Sequence, residues 1–205
     1  MVHIYYCDMN NFEHLLEECV AFLPENRARK VERLYNKNDA LLSATAGLMM
    51  KKVLRTTEDS IISYGKHHKP CLEHGPFFNI SHSRRYSVIA VSENEVGIDI
   101  EMHEGPNEKL MERCFTEDEQ EFAKKSEENF LRIWTAKEAV LKFLGTGFSY
   151  APKNFSVLPL DEEHEVCGKK IKLFCSDING AVLTAAYCGE DKFEFTEFQP
   201  EDLIC

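Results

Sequence analysis

Asp99 and Glu101 stand two residues apart in Val96-Gly97-Ile98-Asp99-Ile100-Glu101, a stretch whose alternation of aliphatic residues predicts a strand. Successive strand side chains point to opposite faces, so Val96, Ile98 and Ile100 go to a core while Gly97, Asp99 and Glu101 share the other side. Two carboxylates about 7 Å apart on one face repel unless something positive lies between them. A hard divalent cation such as Mg²⁺ would serve, because it takes one or two carboxylates and completes its shell with phosphate oxygens and water. Gly97 is expected to leave room there for a ligand. A solvated strand edge is the competing reading.

A second stretch, Phe130 to Lys142, places Trp134, Glu138 and Lys142 at i, i+4 and i+8, one stripe of a helix, with Ile133, Ala136 and Val140 on another. Alone, Glu138 and Lys142 would be a surface ion pair worth about 0.5 kcal/mol or less. Beside Asp99 and Glu101 they describe a metal site with a cation able to hold a diphosphate. Asn79-Ile80-Ser81-His82-Ser83 ends a strand in two hydroxyls and an imidazole, which can hydrogen-bond a phosphate or simply form a polar loop. Lys69-Pro70 reads as a turn. His67, Cys71 and His74 offer three zinc ligands at a spacing that matches no standard site. Arg27, Arg29, Lys30, Arg33 and Lys37 form a basic run whose default reading is a solvated helix face, and Lys51-Lys52 and Arg84-Arg85 are read the same way.

The elements that must position these residues follow from periodicity. Strands are expected at Val2–Tyr6, Phe77–Ile80, Tyr86–Val91 and Val96–Glu101, with Ser92 to Glu95 as a hairpin turn between the last two. Phe12, Leu15, Leu16, Cys19, Val20 and Phe22 fall at helical spacing, Pro24 breaks that helix, and Glu25–Tyr35 reads as a basic helical segment. Asn38-Asp39 can cap a longer helix reaching about Arg55. The Gly- and Pro-rich stretch from Tyr64 to Pro76 is loop. Thr116 and Glu119 form a capping box, and Asn129–Leu144 is a helix ended by Gly145. Strand-like runs at Ile171–Cys175, Ala181–Tyr187 and Lys192–Phe198 complete the tail. Each half mixes helices with a small antiparallel sheet, which is α+β, with the two similar-sized lobes meeting near residues 92–105.

A chain of 205 residues, 43% hydrophobic and 29% charged, can build such a core without disulfides or metals as staples. No stretch approaches the roughly 20 apolar residues of a membrane span, and Met1 to Asp8 lacks the basic and apolar regions of a secretion signal. The net charge of −11 disfavours bulk nucleic-acid binding, which depends on neutralising phosphates. The eight cysteines include no C-x-x-C, so reduced thiols in the cytoplasm are expected.

In this order the motifs resemble those of the 4′-phosphopantetheinyl transferases, of the surfactin-synthetase-activating type. Lys69-Pro70, Asn79 to Ser83, Gly97 to Glu101 and Trp134 to Lys142 meet the family patterns Lys-Pro, N-[IVL]-S-H-[ST], G-[IV]-D-[IVL]-E and [WF]-[ST]-x-K-E-[AS]-x-x-K, and Gly147-Phe148 fit the usual sequel. The match spans about residues 20–158. The resemblance implies two similar α+β lobes related by pseudo-twofold symmetry, here 1–95 and 96–205, with the active site in the cleft between them. It implies transfer of the phosphopantetheine arm of coenzyme A to a serine of an apo acyl or peptidyl carrier protein, releasing adenosine 3′,5′-bisphosphate, by a cytoplasmic, monomeric, Mg²⁺-dependent enzyme.

Carried over by position, Asp99, Glu101 and Glu138 would hold Mg²⁺, with Asp99, Glu138 and Lys142 as the catalytic set. Glu138, directly or through a water, is the candidate base, a role that stays open because one carboxylate cannot serve fully as metal ligand and base together, and Lys142 would neutralise charge on the departing phosphate. Ser81 and His82 resemble the coenzyme phosphate contacts, Lys69 and Pro70 the adenine-side contacts, and Arg27 and Lys30 the basic positions facing the 3′-phosphate. Lys137 and Lys142 complete the coenzyme-binding set. After Asn38-Asp39-Ala40 the family usually has an arginine where this chain reads Leu41-Leu42-Ser43. A weaker grip on the 3′-phosphate is therefore expected unless Lys30 or Arg33 compensates. A metal-dependent phosphodiesterase or nuclease and a non-catalytic coenzyme A binder are the rival readings; the −11 charge opposes the first and the intact set Asp99, Glu101, Glu138 and Lys142 the second.

Overall fold

The computed structural model describes residues 1–205 except 57–61, 66, 68, 104, 191 and 205. Strand β1 (Val2–Asp8) leads into helices α1 (Leu16–Ala21), α2 (Glu25–Val31) and the long α3 (Lys37–Leu54). Strands β2 (Ile62–Tyr64), β3 (Pro70–Leu72), β4 (Phe77–Ser83), β5 (Tyr86–Ser92) and β6 (Val96–Met102) follow, then helices α4 (Glu108–Cys114), α5 (Glu117–Ala123) and α6 (Glu127–Leu144). Strands β7 (His164–Val166), β8 (Lys169–Ile178), β9 (Ala181–Tyr187) and β10 (Phe193–Glu197) and the short helix α7 (Pro200–Leu203) close the chain. The class is α+β, as expected.

There are two four-stranded sheets, ordered β10-β1-β5-β4 and β6-β9-β8-β7, and a β2-β3 ribbon. Helix α3 packs on β5 and helix α6 on β6 and β9. The opposite faces of the two sheets share a central apolar core to which Val2 and Ile4 of β1, Val88 of β5, Ile98 and Ile100 of β6, and Leu183 of β9 contribute. The alternation in β6 thus sorts as the sequence suggests, aliphatics to this core and Asp99 and Glu101 away from it.

Several boundaries differ for local reasons. The expected helix from Phe12 begins only at Leu16, because Asp8 accepts the Asn10 N–H and a 3-10 turn, Met9–Asn11, takes up the preceding chain. Helix α2 ends at Val31 rather than Tyr35; Leu34 N–H turns back to the Val31 carbonyl and Tyr35 is fully exposed. The cap of α3 is Asn36, whose Oδ1 accepts the N–H groups of Asn38 and Asp39 at 2.8 and 3.3 Å. Helix α6 starts at a Ser126 cap and stops at Gly145, whose φ of 66° suits glycine.

The expected β5–β6 hairpin does not form. Both edges of β5 are already taken, by β1 and β4, so β6 pairs instead with β9. Edge strand β4 then faces edge strand β6 across a seam without a backbone ladder. Side chains of β4 cross it: Asn79 Oδ1 accepts the Ile98 N–H at 3.0 Å and Ser83 Oγ the Met102 N–H at 3.3 Å. In the tail, β8 and β9 pair antiparallel as expected, but β10 does not. Strand β10 runs parallel to β1 in the first sheet, and α7 packs on α3. Strand β10 thus joins the sheet that holds β1, while residues 93–95 connect the two four-stranded sheets.

Candidate active site

Helix α6 lies unusually close to β6. A Cβ on Gly97 would fall 2.1 Å from the Ala139 carbonyl oxygen and 2.4 Å from the Phe143 nitrogen. The space beside Gly97 is thus filled by helix backbone, not reserved for a ligand. This close approach brings Glu138 and Lys142 over the acidic face of β6.

There the side chains interlock. Lys142 Nζ donates to Asp99 Oδ1 at 2.6 Å and to Ser81 Oγ at 2.8 Å, and the Ser81 hydroxyl donates to the same Asp99 oxygen at 2.8 Å. Ser83 Oγ donates to Glu101 Oε2 at 2.6 Å. Alternate residues of β4 therefore serve successive positions of β6: Asn79 the Ile98 amide, Ser81 Asp99, and Ser83 Glu101. Ser83, the second of the two hydroxyls expected to reach a phosphate, shares the face of Ser81 by its i+2 position and is bound to Glu101 instead. His82, of opposite parity, stays exposed. Desolvation by its surroundings, then the Lys142 charge, lowers its pKa.

Asp99 is only 3% exposed, and its Oδ2 is a buried acceptor with no hydrogen-bond partner. Around it the acids feel one another. Burial first, and then the Asp99 charge, push Glu138 up to about 7, against the pull of Lys142. The same two causes raise Glu101, opposed by hydrogen bonds from Ser83 and Trp134 and by Lys142. Trp134 stacks on Phe148 with centroids 6.3 Å apart.

Two cavities flank this cluster. One of about 200 Å³ is lined by Lys69, Pro70, Ile80, Glu138, Lys142 and Gly145. The other, about 550 Å³, is lined by Glu101, Met102, Asn107, Lys109, Leu110 and Trp134. The Lys69 ammonium itself is turned to the Val96 and Phe143 carbonyls at 3.2 and 3.0 Å, and burial lowers its pKa.

The structure does not bring every candidate here. Lys137 is wholly buried on the far side of α6, ion-paired to Glu119 at 2.7 Å. It also donates to the Pro152 carbonyl at 2.9 Å and to the Phe155 carbonyl, with its ammonium 4.5 Å from the Phe155 ring centre. Its three protons have three acceptors, so it cannot also contact a coenzyme. Arg27 is half-buried on α2, donating to the Ser43 carbonyl at 3.4 Å, and Lys30 is exposed on the same helix. Neither joins the hydrogen-bonded cluster around Asp99. Leu42 is buried in the apolar cluster around α3, with Leu41 and Leu48. Lys66 and His68 of the preceding loop lie outside the described residues.

Among the described residues, no three His, Cys, Asp or Glu side chains converge closely enough to enclose a metal by themselves. His67, of the zinc reading, instead meets Ser149 Oγ at 3.2 Å. Mg²⁺ needs no such enclosure, since it uses one or two carboxylates and fills its shell with water and phosphate oxygens. The free, buried Oδ2 of Asp99, amid two further acids, fits that requirement.

Residues 95–188 match the family model of the 4′-phosphopantetheinyl transferase superfamily. The 4′-phosphopantetheinyl transferase Sfp of Bacillus subtilis (strain 168) is 28% identical over 172 residues, covering 74% of this chain and 77% of that protein. The transferase ffp of Bacillus subtilis is 27% identical, covering 79% of this chain and 82% of its own. A putative 4′-phosphopantetheinyl transferase of Synechocystis, slr0495, is 32% identical, covering 63% and 59%.

Proposed function

We infer that the chain belongs to the 4′-phosphopantetheinyl transferase superfamily, whose model its residues 95–188 match, and that it moves the phosphopantetheine arm of coenzyme A onto a serine of an apo acyl or peptidyl carrier protein, in the cytoplasm and as a monomer. The observation that carries this reading is the cluster of Ser81, Asp99 and Lys142 flanked by Glu101 and Glu138.

Asp99, Glu101 and Glu138 are the residues that would hold Mg²⁺. When bound, the metal neutralises the diphosphate and polarises the phosphorus that is attacked. The chain's own groups do the rest. Glu138, when it is not engaged by the metal, takes the proton of the carrier serine, directly or through a water, as its oxygen bonds to phosphorus. The bond to the bridging oxygen breaks, and adenosine 3′,5′-bisphosphate leaves with the electron pair. Lys142 faces the charge that builds on that leaving group. His82 offers a hydrogen bond to the phosphates while Ser81 holds Asp99 beside them, and Lys69 and Pro70 form a wall on the adenine side. Arg27 and Lys30 supply positive charge for the 3′-phosphate. Lys137 has no part in binding.

The test is to incubate the protein with coenzyme A, Mg²⁺ and a panel of apo carriers. A carrier mass gain of one phosphopantetheine is expected. Hydrolysis of coenzyme A without a carrier would instead favour a phosphodiesterase, and no change in either substrate would favour a binder.

A further inference from the structure

Asp99 is claimed from two directions. Its Oδ1 is already held by an ammonium, Lys142 Nζ at 2.6 Å, and by the Ser81 hydroxyl at 2.8 Å. Its Oδ2, buried and without a partner, is the atom best placed for a divalent cation. A dication on Oδ2 would sit within a few ångströms of the Lys142 charge, across one carboxylate, where little water separates them. Like charges at such range in a partly buried site oppose each other strongly. One of the two must yield, and their mobilities differ. Asp99 is 5% exposed in its side chain and sits on a strand; Lys142 is 28% exposed and ends a flexible four-carbon stem. The lysine is the part that can move.

We propose that Lys142 makes divalent-cation binding at Asp99 conditional on a phosphate-bearing ligand. Without the phosphate, the lysine neutralises Asp99 and repels a second cation. A diphosphate entering beside Lys142 draws the ammonium off the carboxylate, which leaves Asp99 open to a dication. Metal and diphosphate therefore bind cooperatively, and by linkage each tightens the other by the same factor. Ser81 is the hinge of this exchange: its Oγ accepts from Lys142 and its hydroxyl donates to Asp99. It keeps a hydrogen bond on Asp99 Oδ1 when the lysine departs. The inference rests on the transferase reading only for the identity of the phosphate ligand.

The test is a titration of Mn²⁺, followed by its paramagnetic signal, into the full chain and into Lys142→Met. With Mn²⁺ alone, Lys142→Met should bind at least tenfold more tightly than the wild type, and adding Asp99→Asn to that variant should abolish the gain. With coenzyme A present, wild-type affinity for Mn²⁺ should rise at least tenfold, and that of Lys142→Met by a clearly smaller factor. Lys142→Gln repeats the comparison with a polar side chain, should the methionine variant fold poorly. Equal or weaker Mn²⁺ binding by both lysine variants would overturn the proposal. So would a tightening that survives Asp99→Asn, or an identical coenzyme effect in variant and wild type. The metal-alone arm uses neither coenzyme nor carrier, so its outcome is separable from failure of the transfer assay.

Discussion

Glu138 carries a charge that the fold does not welcome. Its ordinary value is 4.5, and burial beside Asp99 raises it to about 7. Between those values the folded protein holds a proton that the unfolded chain has released, so stability falls as pH rises through that window. Above pH 7 the folded state bears the full penalty. Glu138→Gln should therefore stabilise the metal-free protein by about 1–2 kcal/mol at pH 8, after discounting for solvent screening, and by much less at pH 5. Thermal melts in chelator at the two pH values decide it; equal shifts would show that the carboxylate charge is not the cause. Leu42 gives the opposite lesson. The arginine expected there from the resemblance cannot simply be introduced, because Leu42 lies buried in the apolar cluster around α3. Leu42→Arg would bury an unpaired guanidinium and should cost about 3–5 kcal/mol, with no gain in coenzyme A affinity. Denaturant unfolding and a binding isotherm for the same variant check both parts.

At the scale of elements, the position of α6 governs the site, and two contacts set it. The first is Gly97. Alanine there must push α6 away, at about 1–3 kcal/mol. Gly97→Ala should thus lose transfer activity out of proportion to its loss of stability, because Glu138 and Lys142 move with the helix. The second is the Glu119–Lys137 pair. Glu119 accepts from Lys137, from Thr116 N–H at 2.7 Å and from Val157 N–H at 2.8 Å, tying α5, α6 and the segment after α6 together. Lys137→Met leaves Glu119 buried and unpaired and should cost about 3–5 kcal/mol; Glu119→Gln in the same chain should recover most of it. A double-mutant cycle by denaturant unfolding measures the coupling. Neither contact was legible in the sequence. Strand alternation and helix spacing give each element's faces, but not which backbone will press against Gly97. Nor does a lysine next to Glu138 reveal that it faces the core, where a glutamate 18 residues earlier waits for it. What the sequence does show is the parity of Asp99 and Glu101 and the Trp134, Glu138 and Lys142 stripe, because both depend on local geometry alone.

At the scale of the molecule, the sheets are joined by side chains rather than by a ladder, and the last strand belongs to the first sheet. The sequence suggested a β5–β6 hairpin from a short turn. Turn length, however, cannot tell whether both edges of β5 are already occupied. The tail's destination is likewise a long-range matter. Phe193 stacks on Phe174 at 3.9 Å, Phe198 on Tyr5 at 5.4 Å, and Leu203 joins the core beneath α3. Three such side chains bury roughly 5–8 kcal/mol of apolar contact, comparable with the whole net stability of a domain. A chain ended after Glu190 should therefore fail to fold cooperatively, seen as loss of a sigmoidal thermal transition, although every candidate site residue is present.

The parallel pairing of β1 with β10 also sets an order in time. The two strands lie roughly 190 residues apart in the chain, so on the ribosome β1 emerges long before its partner exists. Until then the nascent first sheet shows a bare edge and an uncovered patch around Tyr5, the kind of surface on which chaperones act and aggregation starts. The second sheet, by contrast, is complete once β9 has been made. The half of the protein translated first is thus the half that finishes folding last.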